Sequence, residues 1–250
     1  MSADLSFWML AVLATLLVGT GKGGLPLIGM LSVPVMSLAM SPTRAAGLLL
    51  PLYVISDMYG LWLFRKSYSK RNLLILGPAA TVGIGIGWAT ASITSEDLVK
   101  AIVGLIGLFY GAIVALNAVR EPAARPADVG RGTFWGVIAG FTSFVSHAGA
   151  PPFQVYVLPQ KLDKVTYSGT STILFAYLNF IKLLPYWMLG QINLSSLKEG
   201  SVLAPVALIG AWAGYKLTVI LPQRLFFRAV EVALVLVSAK LIWDVSARYL

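Results

Sequence analysis

The 250-residue sequence has no cysteine and one histidine, His147. The first absence excludes disulfides, thiolate catalysis and Cys-ligated metals, and the second leaves no histidine cluster for a metal. No cofactor is expected. Charge is also scarce. Asp, Glu, Lys and Arg make up 12% of the chain, where soluble domains carry roughly 25%. Acids are rarest, 10 against 19 Lys plus Arg, for a net charge of +9. What is abundant is apolar surface: 58% of residues are hydrophobic, in runs that approach or exceed the roughly 20 residues of a spanning helix. The chain reads as an all-α polytopic membrane protein whose main partner is the lipid bilayer. In such a protein excess Lys and Arg mark cytoplasmic loops, so no nucleic-acid partner is expected. The first apolar run follows Asp4 with no basic residue before it, which argues against a cleaved signal peptide.

The apolar segments fall at residues 5–18, 25–40, 45–64, 73–93, 98–119, 133–146, 151–159, 165–189, 197–221 and 225–245. The segment at 151–159 is only about one-third to one-half of a membrane span. Residues 120–132, R-E-P-A-A-R-P-A-D-V-G-R-G, have the composition of a linker. They divide the chain into an N-terminal membrane repeat (1–119), a cytoplasmic linker (120–132) and a C-terminal membrane repeat (133–250).

The two halves echo one another in order and spacing. K-G-G-L-P from Lys22 to Pro26 matches H-A-G-A-P from His147 to Pro151. The stretch from Gly47 to Asp57 matches that from Gly169 to Asn179, and Pro78, Gly83 and Gly87 match Pro205, Gly210 and Gly214. Internal repeats are a frequent construction of secondary transporters. Each half reads as a re-entrant or broken helix hairpin plus three transmembrane helices, giving 8–10 membrane segments in all. Each half then crosses the membrane an odd number of times, so the repeats are inverted. That arrangement puts residues 65–71, the linker, 161–164 and 223–228 in the cytoplasm, as the positive-inside rule asks. Asp4, Glu96, Asp97, residues 190–196 and both termini then lie on the periplasmic side of a cell inner membrane.

The glycine-rich break from Val18 to Pro26 is where chemistry is expected. Irregular backbone in lipid leaves peptide groups unpaired unless protein or a wet cavity satisfies them. Lys22 and His147 occupy matching places in the two breaks, each before a small-residue turn and a proline that opens the next helix. Free N–H groups at a helix start, beside a Lys or His, make an anion site. The expected substrate-binding residues are Thr20, Lys22, Gly23, Gly24, His147, Gly149, Gln154, Thr170, Ser171 and Asn179. Lys22 and His147 are expected to meet near mid-membrane. Asp57 lies inside an apolar segment, where a carboxylate is functional by default. Lys182, three residues after Asn179, shares its helix face and offers Asp57 a partner. Asp57 and Lys182 are therefore the expected coupling or gating pair, with a proton or sodium ion as the coupling ion. G-T-G-K-G-G is not a nucleotide loop: it has Leu16 and Gly23 where that motif needs Gly and Ser or Thr.

The chain resembles the sulfite exporter TauE/SafE family of membrane permeases. The features that carry the resemblance are G-K-G-G-L-P and its echo S-H-A-G-A-P-P, the G-T-S-T segment starting at Gly169, P-A-A-T-V-G-I-G-I-G at 78–87 and P-V-A-L-I-G-A-W-A-G at 205–214. The resemblance implies a bacterial-type inner-membrane transporter, not an enzyme. Its expected substrate is a small anion such as sulfite, sulfoacetate, another organosulfonate or a related carboxylate. An anion channel and a membrane assembly subunit are the alternatives, and a homodimer is left open. An intramembrane hydrolase built on Ser146 and His147 finds no support, because no G-x-S-x-G element is present.

Overall fold

In the computed structural model, residues 2–116, 123–190 and 194–247 are described. The order of elements is α1 (Ser2–Lys22), α2 (Pro26–Met30), α3 (Ser32–Met36), α4 (Pro42–Phe64), α5 (Lys70–Ala89), α6 (Glu96–Leu116), α7 (Val129–Ser146), α8 (Ala150–Val157), a 3₁₀ turn (Leu158–Gln160), α9 (Lys164–Met188), α10 (Leu194–Ile220) and α11 (Gln223–Ser246). Every regular element among the described residues is helical, as expected of an all-α polytopic membrane protein. Among the described residues, five helical stretches are long and apolar enough to cross a membrane: Leu5–Lys22, Arg44–Phe64, Lys70–Ala89, Glu96–Leu116 and Val202–Ile220. The expected loop at 190–196 is shorter, since α10 already begins at Leu194. The ends of the apolar segment at 98–119 and of the linker at Arg120 lie outside the described residues, as do residues 191–193 and the side chain of Asp4.

The helices assemble into two compact units. The first comprises Met1–Ser69 and Lys164–Leu221, hence α1–α4 with α9 and α10. The second comprises Lys70–Asp163 and Pro222–Leu250, hence α5–α8 with α11. Each unit therefore draws helices from both halves of the chain.

In the first unit α1 lies against α10 at backbone contact. A Cβ at Gly19 would sit 2.1 Å from the Ala207 carbonyl, and one at Gly23 2.4 Å from both the Ala211 carbonyl and the Tyr215 amide. On the facing helix, a Cβ at Gly214 would come within 2.4 Å of the Thr20 carbonyl. Two G-x-x-x-G faces thus meet, which is how apolar helices gain contact where lipid offers no hydrophobic driving force. The second unit repeats the device with α5 and α7: a Cβ at Gly83 would lie 2.0 Å from the Val137 carbonyl, and one at Gly140 2.0 Å from the Ala80 carbonyl.

This packing shifts the break in the first apolar segment. The sequence reading opens the irregular stretch at Val18, whereas α1 stays helical to Lys22 and only residues 23–25 leave the helix. Gly19 and Gly21 are contact glycines inside the helix and do not terminate it. The following segment, read as one run at 25–40, is two five-residue helices, α2 and α3, hinged at Leu31.

Candidate functional site

The first unit builds its site around the end of α1. The last carbonyls of any helix lack partners within it, and inside a membrane no bulk water replaces them. Here three hydroxyls from neighbouring helices do. Thr172 of α9 donates to the Lys22 carbonyl at 3.1 Å, Thr218 of α10 to the Gly23 carbonyl at 3.1 Å, and Ser168 of α9 to the Gly24 carbonyl at 3.0 Å. Gly24 has φ of +117°, and a Cβ there would also strike the hydroxyls of Thr218 and Ser168 within 2.8 Å. Only glycine fits this turn. Pro26 then opens α2 at its first positions, where a missing N–H goes unneeded.

On the same tip the Lys22 ammonium turns inward and meets α4. Lys22 Nζ lies 2.7 Å from Asp57 Oδ1, with both residues buried at 5% and 3% exposure. The Asn179 amide of α9 donates to Asp57 Oδ2 at 2.8 Å. The Lys22 ammonium also stands 5.1 Å from the centre of the Tyr53 ring, within the range of a cation–π attraction. Tyr53 is fixed in turn: its hydroxyl donates to the Gly29 carbonyl at 2.9 Å and lies 2.5 Å from Ser32 Oγ. The short helix α2 is thereby tied to α4. Lys182, with no exposed surface, is close enough to interact electrostatically with both Asp57 and Lys22. Asp57 thus takes Lys22 as its ion-pair partner where the sequence reading offered it Lys182. Asp57 and Asn179, which the sequence reading matched to one another, touch directly.

The remaining expected residues of this unit divide by what their hydroxyls do. Thr20 donates to the Leu16 carbonyl of its own helix at 2.8 Å. Thr170 donates to the Thr166 carbonyl and accepts the Ser69 amide. Both therefore serve backbone groups. The Ser171 hydroxyl is fully buried and has no hydrogen-bond partner among the described residues, and the same holds for Thr15 on α1. Ser168, Thr218 and Tyr53 were not singled out from the sequence. A hydroxyl that seals a tertiary gap reads there like any other small polar residue in an apolar helix.

The second unit contains the other break. Helix α7 ends at Ser146, and His147 follows in the left-handed conformation with φ of 53°. The Ala148 amide reaches back to the Thr142 carbonyl at 3.1 Å and closes the helix end. Glycine usually takes this position, and histidine adopts it at some energetic cost. After Gly149, helix α8 begins with Ala150 and two prolines, and all of its side chains are buried. Gln154 has no exposed surface, and neither atom of its amide has a hydrogen-bond partner among the described residues. Such a group carries a desolvation penalty of ~1–3 kcal/mol. Lys22 belongs to the first unit and His147 to the second.

Helices long and apolar enough to cross a membrane, with buried charges among them and one helix broken in mid-run, define the class: a polytopic membrane protein. The chain matches the family Sulfite exporter TauE/SafE over residues 9–241 and belongs to that family of membrane transporters. Neither a curated protein nor a solved structure matches it.

Proposed function

We propose that this protein is a secondary transporter that moves a small anion across the cell inner membrane. The substrate class is sulfite, sulfoacetate or another organosulfonate, or a related carboxylate. One observation carries the reading. The tip of α1 brings Lys22 to Asp57 with Asn179, Lys182 and Tyr53 around them, all buried among membrane-spanning helices. Ionisable groups at such depth are expensive and mark substrate or ion pathways. Membership of a sulfite exporter family supports the anionic substrate. The buried Ser171 hydroxyl of the same unit adds a donor of the kind an oxyanion uses. Asp57 is the residue through which a proton or sodium ion would couple to transport.

The test is flux of labelled sulfite and a panel of sulfonates and carboxylates into proteoliposomes, with and without a pH or sodium gradient. Saturable uptake of one of these anions is the expected result. No flux of any of them under any gradient sinks the reading. Lys22→Ala and His147→Ala lower uptake more than they lower the unfolding temperature of the purified protein.

A further inference from the structure

The end of α1 has the ingredients of a site for a small monovalent cation. Where transporters interrupt a helix, the C-terminal end of the half-helix and the carbonyls that leave it coordinate the coupling cation. Helix α1 stops at Lys22, and residues 23–25 leave the helix. The negative end of the helix dipole lies here. The buried Asp57 carboxylate stands beside it, and the face of the Tyr53 ring adds a further attraction for positive charge.

A cation already fills this place. The Lys22 ammonium lies 2.7 Å from Asp57 Oδ1 and 5.1 Å from the centre of the Tyr53 ring. The backbone of the same residue is held as well, because its carbonyl accepts from Thr172 at 3.1 Å. The Gly23 and Gly24 carbonyls take the hydroxyls of Thr218 and Ser168, and Asp57 Oδ2 takes the Asn179 amide. A sodium ion arriving at Asp57 would share the carboxylate with an ammonium at hydrogen-bond distance, and Lys182 lies in electrostatic range of both. Like charges at that separation repel strongly where the dielectric is low.

We propose that the Lys22 ammonium is a tethered cation standing in for a bound sodium ion. The Lys22–Asp57 site is a monovalent-cation site that the chain fills with its own side chain, and transport needs no sodium. A bound ion can leave and be reloaded, whereas an ammonium attached to α1 stays with Asp57 for as long as the tip of α1 stays with α4. The statement about transport rests on the transporter reading above; the cation site itself is testable without flux.

The experiment compares NaCl with choline chloride at equal ionic strength, by thermal unfolding of the purified protein and by anion uptake into proteoliposomes. The wild type unfolds at the same temperature in both salts. Its uptake differs between them by less than about twofold, where a coupled ion changes affinity by roughly fivefold or more. Lys22→Ala removes the ammonium and leaves the carboxylate and the helix end. Sodium then raises its unfolding temperature by about 3 °C or more over choline, as a ligand in excess of its dissociation constant does in a chain of this size. Adding Asp57→Asn abolishes that shift. Because Lys182 is in range of Asp57, Lys22→Ala/Lys182→Gln is measured alongside. No sodium-specific shift in either variant overturns the proposal, and so does a shift that survives Asp57→Asn. Sodium stabilisation of the wild type, or sodium-dependent uptake by it, overturns it too. Should neither Lys22 variant fold, the wild-type comparison decides. Absence of uptake by the wild type in any salt or gradient refutes the transporter reading instead, and the unfolding measurements still decide the cation site.

Discussion

Replacing Thr218 by valine keeps the outline of the side chain and removes one hydroxyl. That hydroxyl is the hydrogen-bond donor to the Gly23 carbonyl, in a place with no solvent exposure. The carbonyl lies past the last turn of α1. An abandoned buried acceptor costs ~1–3 kcal/mol in water-soluble proteins. Side-chain hydrogen bonds measured in a membrane protein average ~0.6 kcal/mol and reach ~1.7, because the unfolded chain also finds partners in the bilayer. The expected loss for Thr218→Val is therefore about 1–2 kcal/mol, and similar losses follow for Ser168→Ala and Thr172→Val. Since the three carbonyls are consecutive, the triple variant departs from additivity. Ser56→Ala is the control. Its hydroxyl is equally buried but bonds to the Leu52 and Tyr53 carbonyls inside α4, which keep their intrahelical partners. Its cost is expected below about 0.5 kcal/mol. Reversible unfolding in mixed micelles, titrated with SDS, measures all five variants on one scale. If Thr218→Val is as stable as wild type, or no worse than Ser56→Ala, the hydroxyls do not seal the break and the account of the tip is wrong.

Other expectations follow from single contacts. Gly214→Ala brings a methyl to 2.4 Å from the Thr20 carbonyl, so α1 and α10 must part. It should destabilise by about 1–3 kcal/mol in the same unfolding assay. Gly85, where a Cβ meets nothing within 4 Å, is its counterpart: Gly85→Ala should be neutral or add up to about 1 kcal/mol through helix propensity. Tyr53→Phe removes the hydrogen bond to Gly29 and the contact with Ser32 but leaves the ring facing Lys22. A loss near ~1 kcal/mol with transport retained is expected.

The class of fold was legible in the sequence because lipid imposes a coarse rule: long apolar runs must be helices. Legible too was the interruption of such a run by G-K-G-G-L-P. What stayed hidden was the division of labour among glycines. A glycine needed for a left-handed turn and one needed for a close helix contact are the same letter. Gly24 does the first and Gly19 the second, and only the partner helix α10 tells them apart. The same applies to Asp57. Helix periodicity placed Lys182 beside Asn179 correctly, but which lysine reaches the carboxylate depends on how α1 and α9 lie against α4. That is tertiary information, and it favours Lys22.

Gln154 offers a test in which stability and function pull apart. Its amide is fully buried, with no partner at either atom among the described residues. Packing alone gives no reason to retain it, because leucine fills a similar volume without the desolvation penalty. If the amide waits for a ligand, Gln154→Leu should raise the unfolding free energy of the ligand-free protein by up to about 1–3 kcal/mol. The same change should lower anion uptake, and the stabilisation that added anion gives the wild type should shrink, since that stabilisation scales with ligand excess over its dissociation constant. Thermal unfolding with and without each anion, alongside the flux assay, reads both effects from one preparation. A Gln154→Leu protein that is less stable than wild type and transports equally well would mean that the amide has a structural partner, such as a bound water, and serves the fold and not the substrate.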